Sequence, residues 1–376
     1  MKKSLLFLFI LTCIFSGLTS SCAHYGDRVG TPNPDANESS LQFISPKAGK
    51  TAISLPKTGQ TATYHTGDDG DLKKGEAWPD PRFTVNGDCI TDNLTGLMWS
   101  KDANLLDGTK TWQEALDYAS NLTLCGHNDW RLPNRRELRR LTDHSKYAPA
   151  LPAGHPFINV QPGAFWSSTT YSNNTAAAWF VDVRNGYLHN SPKTDSHFVW
   201  PVHAVKPVQL ARTGQTDCYN ISGAEINCSG TGQDGDVRAG VAWPPQRFTT
   251  DGDCVTDNLT RLMWAKKANL PNGAKTWHQA LDYIASINSG AGLCGYHDWR
   301  LPNVNELESP VNAGAANSAP WLNGQGFSNA QSSYYWSSTT GAHHAGYAWC
   351  VHMQHGGVTY GHKSSNGFVW PVRSGQ

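Results

Sequence analysis

Gly87-Asp88-Cys89-Ile90-Thr91-Asp92-Asn93-Leu94-Thr95-Gly96-Leu97-Met98-Trp99 is written a second time, 165 positions on, as Gly252-Asp253-Cys254-Val255-Thr256-Asp257-Asn258-Leu259-Thr260-Arg261-Leu262-Met263-Trp264. Asn86-Gly87 supplies the positive φ that a tight turn requires, so Phe83-Thr84-Val85 and Cys89-Ile90-Thr91 read as a hairpin. A turn over Asp92 to Gly96 then feeds a third strand at Leu97-Met98-Trp99. The repetition extends both ways. Upstream, Asp69-Gly70-Asp71, Trp78, Arg82 and Phe83 recur as Asp234-Gly235-Asp236, Trp243, Arg247 and Phe248. Downstream, after an insertion near Ser289, Asp129-Trp130-Arg131-Leu132-Pro133-Asn134 returns at Asp298 to Asn303, and Trp166-Ser167-Ser168-Thr169 at Trp336 to Thr339. All seven tryptophans of the first copy have a partner in the second. Copies of about 150 residues are domain-sized, well beyond the roughly 20–50 residues of a solenoid repeat.

Within a copy, Thr111-Trp112-Gln113-Glu114 and Thr276-Trp277-His278-Gln279 fit the capping box that opens a helix, and Trp112, Ala115, Leu116, Ala119 and Leu122 form one apolar stripe behind it. Asn134 to Glu137 and Asn303 to Glu306 open a second, shorter helix in the same way. Farther on the pattern alternates: Trp179, Val181 and Val183 share a face, as do Trp349, Val351 and Met353. Each copy is therefore α+β, a mostly antiparallel sheet with two short helices. The chain divides into an address segment at 1–22, a flexible tether at 23–57, and two domains at 58–206 and 213–376.

Lys+Arg 30 balances Asp+Glu 30, which removes the excess of cations expected of a nucleic-acid binder. Lys2 and Lys3 precede an apolar run from Leu5 to Phe15 that is shorter than the about 20 residues of a spanning helix, so it reads as a secretory signal. Thr19-Ser20-Ser21-Cys22 resembles the bacterial lipoprotein cleavage box, with Cys22 as the lipidated residue; an ordinary signal with a chance cysteine is the alternative. The expected place is the bacterial cell envelope, lipid-anchored at the outer membrane or cell surface.

Thr91 to Trp99, the helix opening at Thr111-Trp112, Asp129 to Asn134, Trp166 to Thr169 and the closing Val199-Trp200-Pro201-Val202 together resemble a domain family of unknown function, typified by the C-terminal domain of the Legionella collagen-like adhesin. The resemblance covers nearly all of both copies. It implies a fold similar to the C-type lectin and formylglycine-generating-enzyme group, here as two tandem C-type-lectin-like domains, with surface display and glycan binding in some members. The chain departs from the family's pattern at Trp200 and Trp370, where Arg is expected.

Cys89 and Cys125 recur as Cys254 and Cys294, which nominates a disulfide in each copy, and Cys218 with Cys228 suggests a local staple in the second copy only. Cys350 is left over and reads as a small hydrophobe. Asp251, Asp253 and Asp257, like Asn86, Asp88 and Asp92, have a calcium loop's spacing without its distal Glu, and the hairpin with its turn accounts for the same letters. His343, His344, His352, His355 and His362 could bind zinc, but their first-copy partners are Asn173, Asn174, Asp182, Asn185 and Pro192. No metal or other cofactor is expected, calcium remaining the one alternative.

Between the framework residues of the closing strands, the two copies exchange Asn, Asp, His, Tyr, Ser, Thr and Gly freely. A fixed inner face with an exchanged outer face is what a recognition surface looks like, and these residue types are its vocabulary. Asn173, Asn174, Asp182, Asn185, Tyr187, His343, His344, His352, His355 and Tyr360 are the expected ligand-binding residues, with Trp321, which has no first-copy partner, as an exposed platform. Arg131 and Arg300 are expected to brace their loop through Asp129 and Asp298. The functional expectation is a non-catalytic surface lipoprotein that binds an extracellular glycan or protein. A cell-envelope enzyme using Cys350 or a metal, and a structural envelope component, are the alternatives.

Overall fold

The structure, a computed structural model, describes residues 52–375. The signal segment, Cys22 and the tether as far as Thr51 lie outside the described residues, among which no helix is long and apolar enough to cross a membrane. The first copy runs α1 (Asp69–Leu72), β1 (Phe83–Asn86), β2 (Cys89–Asp92), β3 (Leu97–Ser100), α2 (Trp112–Ser120), α3 (Arg135–Arg140), β4 (Ala164–Thr170), β5 (Ala177–Asp182), β6 (Tyr187–Pro192) and β7 (Val202–Ala204). A small hairpin follows, β8 (Cys218–Tyr219) with β9 (Glu225–Ile226). The second copy runs α4 (Asp234–Val237), β10 (Phe248–Asp251), β11 (Cys254–Asp257), β12 (Leu262–Ala265), α5 (Trp277–Ser289), α6 (Val304–Glu308), α7 (Ser318–Gly324), β13 (Tyr334–Thr340), β14 (Tyr347–His352), β15 (Val358–His362) and β16 (Val372–Ser374). The strands of these sheets pair antiparallel, so the class is α+β.

Local chemistry sets most of these elements. Gly87 and Gly252 turn their hairpins at φ 63 and 55, where a side chain would be strained. Thr111 donates its backbone amide to the Glu114 carboxylate at 2.9 Å, and the Asn134 side chain accepts from the amides of Arg136 and Glu137, so α2 and α3 open on satisfied donors. Trp112, Ala115, Leu116 and Ala119 are buried along one side of α2, against Trp166, Ala178 and Val199. In each copy the closing strand returns to the hairpin sheet, giving the orders β1-β2-β3-β7 and β10-β11-β12-β16. The three disulfides are Cys89–Cys125, Cys254–Cys294 and Cys218–Cys228.

The remaining strands join across the copies into one six-stranded sheet, β4-β5-β6-β15-β14-β13. Its central pairing sets Leu188 of β6 against Val358 of β15, residues 170 positions apart that are equivalent in the repeat. A pseudo-twofold axis therefore passes beside that pair. One hydrophobic core runs through both halves, from Trp99, Trp179 and Trp200 to Trp264, Trp349 and Trp370, and the described residues form one compact unit.

The leading segment of each copy is held by the other. Asp69, on α1, accepts from Thr58 of its own segment and from Thr339 of the second copy at 2.7 Å, while Gln60 exchanges hydrogen bonds with the Thr340 backbone. Asp234, on α4, accepts from Thr213 and from Thr169 of the first copy, and Gln215 bonds the Thr170 backbone in both directions. Ile53 and Leu55, expected within the tether, are instead buried in the core, and the Ile53 amide donates to the Leu259 carbonyl.

The seam itself is charged. Arg139 on α3 donates to Glu308 on α6 at 2.8 Å, and those two residues are also repeat equivalents, 169 positions apart. Identical copies would set like against like at this place, so divergence of the copies is what permits the pair. Burial alone would raise the Glu308 carboxyl, but Arg139, Arg135 and Arg140 outweigh it and hold it down at about 2. Arg136 donates to the carbonyls of Ser309 and Val311 at 3.1 and 2.7 Å. Arg135 and Arg139 also lie over the rings of Trp179 and Trp349, so Arg135, Arg136 and Arg139 each have an aromatic or carbonyl partner.

Candidate functional site

The two copies keep one scaffold and differ in what fills it. In the first copy, Phe180 of β5 packs against His197 with ring centroids 4.9 Å apart, and His197 in turn covers Trp166 at 4.3 Å. His189 lies on the other side of Phe180. The equivalents in the second copy, 170 positions on, are Cys350, Thr359 and Gly367. Three large rings are thus replaced by a thiol, a hydroxyl and a hydrogen, and a cavity of about 290 Å³ takes their place. Tyr334, Trp336, Tyr360, Ser365 and Asn366 complete its wall. With Gly361 and Gly367 the Trp336 ring comes closer than a side chain allows, since a Cβ would stand 2.6 and 2.8 Å from it, whereas Ser191 and His197 hold the equivalent places beside Trp166.

Chemically the cavity is an apolar slot with a polar lip. Trp336 is anchored by its indole donating to the Lys275 carbonyl at 2.9 Å, and Tyr334 stands 42% exposed at the opening. Cys350 contacts the Thr359 carbonyl at 3.5 Å, and burial pushes its thiol up to about 12. Such a thiol is protonated at neutral pH and is a poor nucleophile.

A neighbouring site differs between the copies in the same direction. Lys193 sits over Trp112 at 4.0 Å and donates to the carbonyls of Tyr219 and Asn220 on the β8–β9 hairpin, which covers it. Lys363 sits over Trp277 at 3.8 Å and bonds the Thr340 hydroxyl, but no such hairpin exists in the first copy's leading segment. Tyr64, His278, His362 and Lys363 instead line an open depression of about 500 Å³. Burial pushes the Lys193 and Lys363 ammoniums down to about 7 and about 8.

The residues expected to bind ligand do not converge. Asn173 and Asn174 are exposed on the turn after β4. His343 and His344 are exposed on the matching turn after β13, where His343 stacks on Tyr147 of the first copy at 5.1 Å. Asp182 and Asn185 are spent on their own turn: Asp182 accepts from the amide of Arg184 and the side chain of Asn185. Tyr187 and Tyr360 do not face outward. They pack on each other at 4.7 Å and on Trp349, and the Tyr360 hydroxyl donates to the Asn185 carbonyl across the seam, so only one edge of Tyr360 reaches the cavity. His352 and His355 stack at 4.2 Å beside the seam, and burial pushes His355 down to about 4. Alternation left Tyr360 outside, but its pairing with Trp349 puts it on the core face, and the sister copy's Trp349 covers Tyr187.

Further expectations are corrected by the packing. Trp321 lies on α7 and is half-buried against Trp243 and Phe248, 5.6 and 6.1 Å away, so it is no exposed platform. Arg131 and Arg300 grip Glu137 and Glu306 bidentately at 2.6–2.7 Å instead of the neighbouring aspartates. Asp129 and Asp298 are left to His203 and Arg373. Asp92 and Asp257, the third members of the calcium-like spacing, are buried and bound by Arg82 and Arg247 and by the amides of Leu94 and Leu259. The five histidines of the closing strands form no converging set among the described residues. Sequence reasoning missed Tyr334, Trp336, Thr359 and Gly367. The signal available was volume: Phe180 to Cys350, His189 to Thr359 and His197 to Gly367 all shrink together.

No curated protein matches the chain. The model of the Lcl C-terminal domain family matches residues 88–203 and again 253–373. With both copies matched over their hairpin, helices and closing strands, the chain belongs to the Lcl C-terminal domain family and carries that domain twice in tandem.

Proposed function

We propose that this protein is a lipid-anchored component of the bacterial cell envelope that binds an extracellular glycan without catalysis, with the cavity of the second copy as the seat for one sugar ring. The observation that carries this reading is the coordinated shrinkage of Phe180, His189 and His197 to Cys350, Thr359 and Gly367, which opens about 290 Å³ beside Trp336 and Tyr334. Ligand sites are concave, mostly apolar and furnished with a few polar groups, and Ser365 and Asn366 supply those here. An aromatic wall offers the flat apolar surface on which a pyranose face stacks. Against the enzyme reading stands the Cys350 thiol, held protonated by burial and set against the Thr359 carbonyl. Lipid anchoring rests on Cys22 and its preceding small residues alone.

The test is a glycan-array screen of the mature chain, followed by titration of the best binder against Cys350→Phe and Cys350→Ser. The phenylalanine copies the first domain's filling and is expected to weaken binding at least tenfold. The serine is expected to leave it unchanged. Full binding by Cys350→Phe would refute the cavity as the seat, and an array with no binder would favour a protein ligand.

A further inference from the structure

Among the described residues, one place brings three metal-ligating side chains together: His127, Asp129 and His203 of the first copy, whose ligand atoms all lie within 4.8 Å of one another. His127 and Asp129 come from the loop after the Cys89–Cys125 disulfide, and His203 from the closing strand β7. The imidazoles stack at 4.0 Å, tilted by 20°, and the His203 Nδ1 stands 2.8 Å from an Asp129 oxygen. The His203 side chain is 8% exposed and the Asp129 side chain 69%, so the cluster has a fixed wall and an open mouth.

The sister copy shows what the place requires. There the equivalents are Tyr296, Asp298 and Arg373. The Arg373 guanidinium lies 3.7 Å from the Tyr296 ring centre and 2.6 Å from the Asp298 carboxylate, so a built-in cation fills the space between ring and carboxylate. In the first copy the residue that would carry that cation is a histidine. His203 therefore offers Asp129 an imidazole nitrogen where Arg373 offers Asp298 a fixed guanidinium. Arg131, the next cation, is committed to Glu137.

The geometry points to a divalent transition-metal site, zinc by ligand type, held by His127, Asp129 and His203 in the place that the Arg373 guanidinium occupies in the second copy. Two imidazoles and a carboxylate are a zinc ligand set that leaves a fourth position for water. Ligand atoms of a tetrahedral zinc stand about 3.3 Å apart and the ion lies near the plane of each ring, so the partly exposed His127 ring must turn off its stack on His203 while the exposed Asp129 closes in. The metal would tie the disulfide loop to the closing strand, as the Arg373–Asp298 pair does in the second copy.

The test uses the full mature chain without an affinity tag, stripped with EDTA, dialysed against zinc chloride and passed through gel filtration. Elemental analysis is expected to return one zinc per chain. His203→Arg, which installs the second copy's own solution, and Asp129→Asn are each expected to lower zinc affinity at least 100-fold, with circular dichroism and melting temperature confirming that both fold. A triple His343→Ala, His344→Ala, His362→Ala variant is expected to retain its zinc. The assignment is overturned if the wild-type chain retains no zinc, if His203→Arg binds as the wild type does, or if the triple variant loses the metal.

Discussion

The first copy is filled and the second is open. Phe180, His189 and His197 occupy in one domain the volume that the other leaves as a cavity, and the Cys218–Cys228 hairpin covers Lys193 where Lys363, itself 6% exposed, borders an open depression. Their frames otherwise correspond, apart from α7 in the second copy, down to the bidentate Arg131–Glu137 and Arg300–Glu306 pairs. Duplication followed by such divergence separates two tasks that a single domain must combine. One copy completes the core and the seam, and the other exposes a recess without having to close the fold alone.

The largest effect is expected where the copies differ in charge. Glu308 is the only carboxylate that Arg135 and Arg139 reach, and Glu308→Gln leaves a buried group of cations without compensation. Losing one partner of a buried ion pair typically costs about 3–5 kcal/mol, so the urea midpoint should drop by that equivalent. Because the core and the central sheet are shared, both copies should still melt in one transition; two separated transitions would show the domains to be independent.

A smaller effect per group is expected from the two aspartates that clamp the exchanged leading segments. Burial raises Asp69 and Asp234 from 3.8 to about 6, against the hydrogen bonds from their threonines. Between about pH 4 and 6 the folded chain therefore holds protons that the unfolded chain releases, and stability falls as pH rises through that window. Two pH units correspond to roughly 3 kcal/mol for each carboxyl, and chemical denaturation at pH 4.5 and 7 should show the slope. Asp69→Asn should remove about half of it; an unchanged slope would assign the protons elsewhere.

The smallest global effect belongs to the staple unique to the second copy's leading segment. Cys218→Ser with Cys228→Ser opens a loop of 10 residues, which chain-entropy reasoning values at about 2–3 kcal/mol. The sharper readout is local. Lys193 should become as reactive toward an acylating reagent as Lys363, with mass spectrometry following both. Should Lys193 remain protected, the hairpin is held by more than its disulfide.

How far the sequence reached depends on the range of the interactions involved. The hairpins, helix openings and disulfide pairs were legible because Asn-Gly turns, capping boxes and duplicated cysteines act over a few residues or are repeated outright. The inner faces of β5 and β14 were legible from alternation, and Trp179, Val181, Trp349 and Val351 are all buried as expected. Tyr187 and Tyr360 misled because the neighbouring strand that packs on them belongs to the other copy, which alternation does not reveal, and His355 because it lies on the turn after β14 and not in a strand. Trp321 misled because a lone tryptophan among glycines and asparagines gives no sign of a helix packed on Trp243.

Taken alone, the sequence determined that there are two α+β copies, where each strand turns, which cysteines pair and which tryptophans form the core. These are properties of local backbone preference and of periodic burial, and a repeated text states them twice. Only the tertiary structure decided that the copies share one central sheet, that each clasps the other's leading segment, and that the cavity lies in the second. Those features depend on side-chain volumes and charges meeting across 170 positions of chain, a distance over which no periodicity carries information.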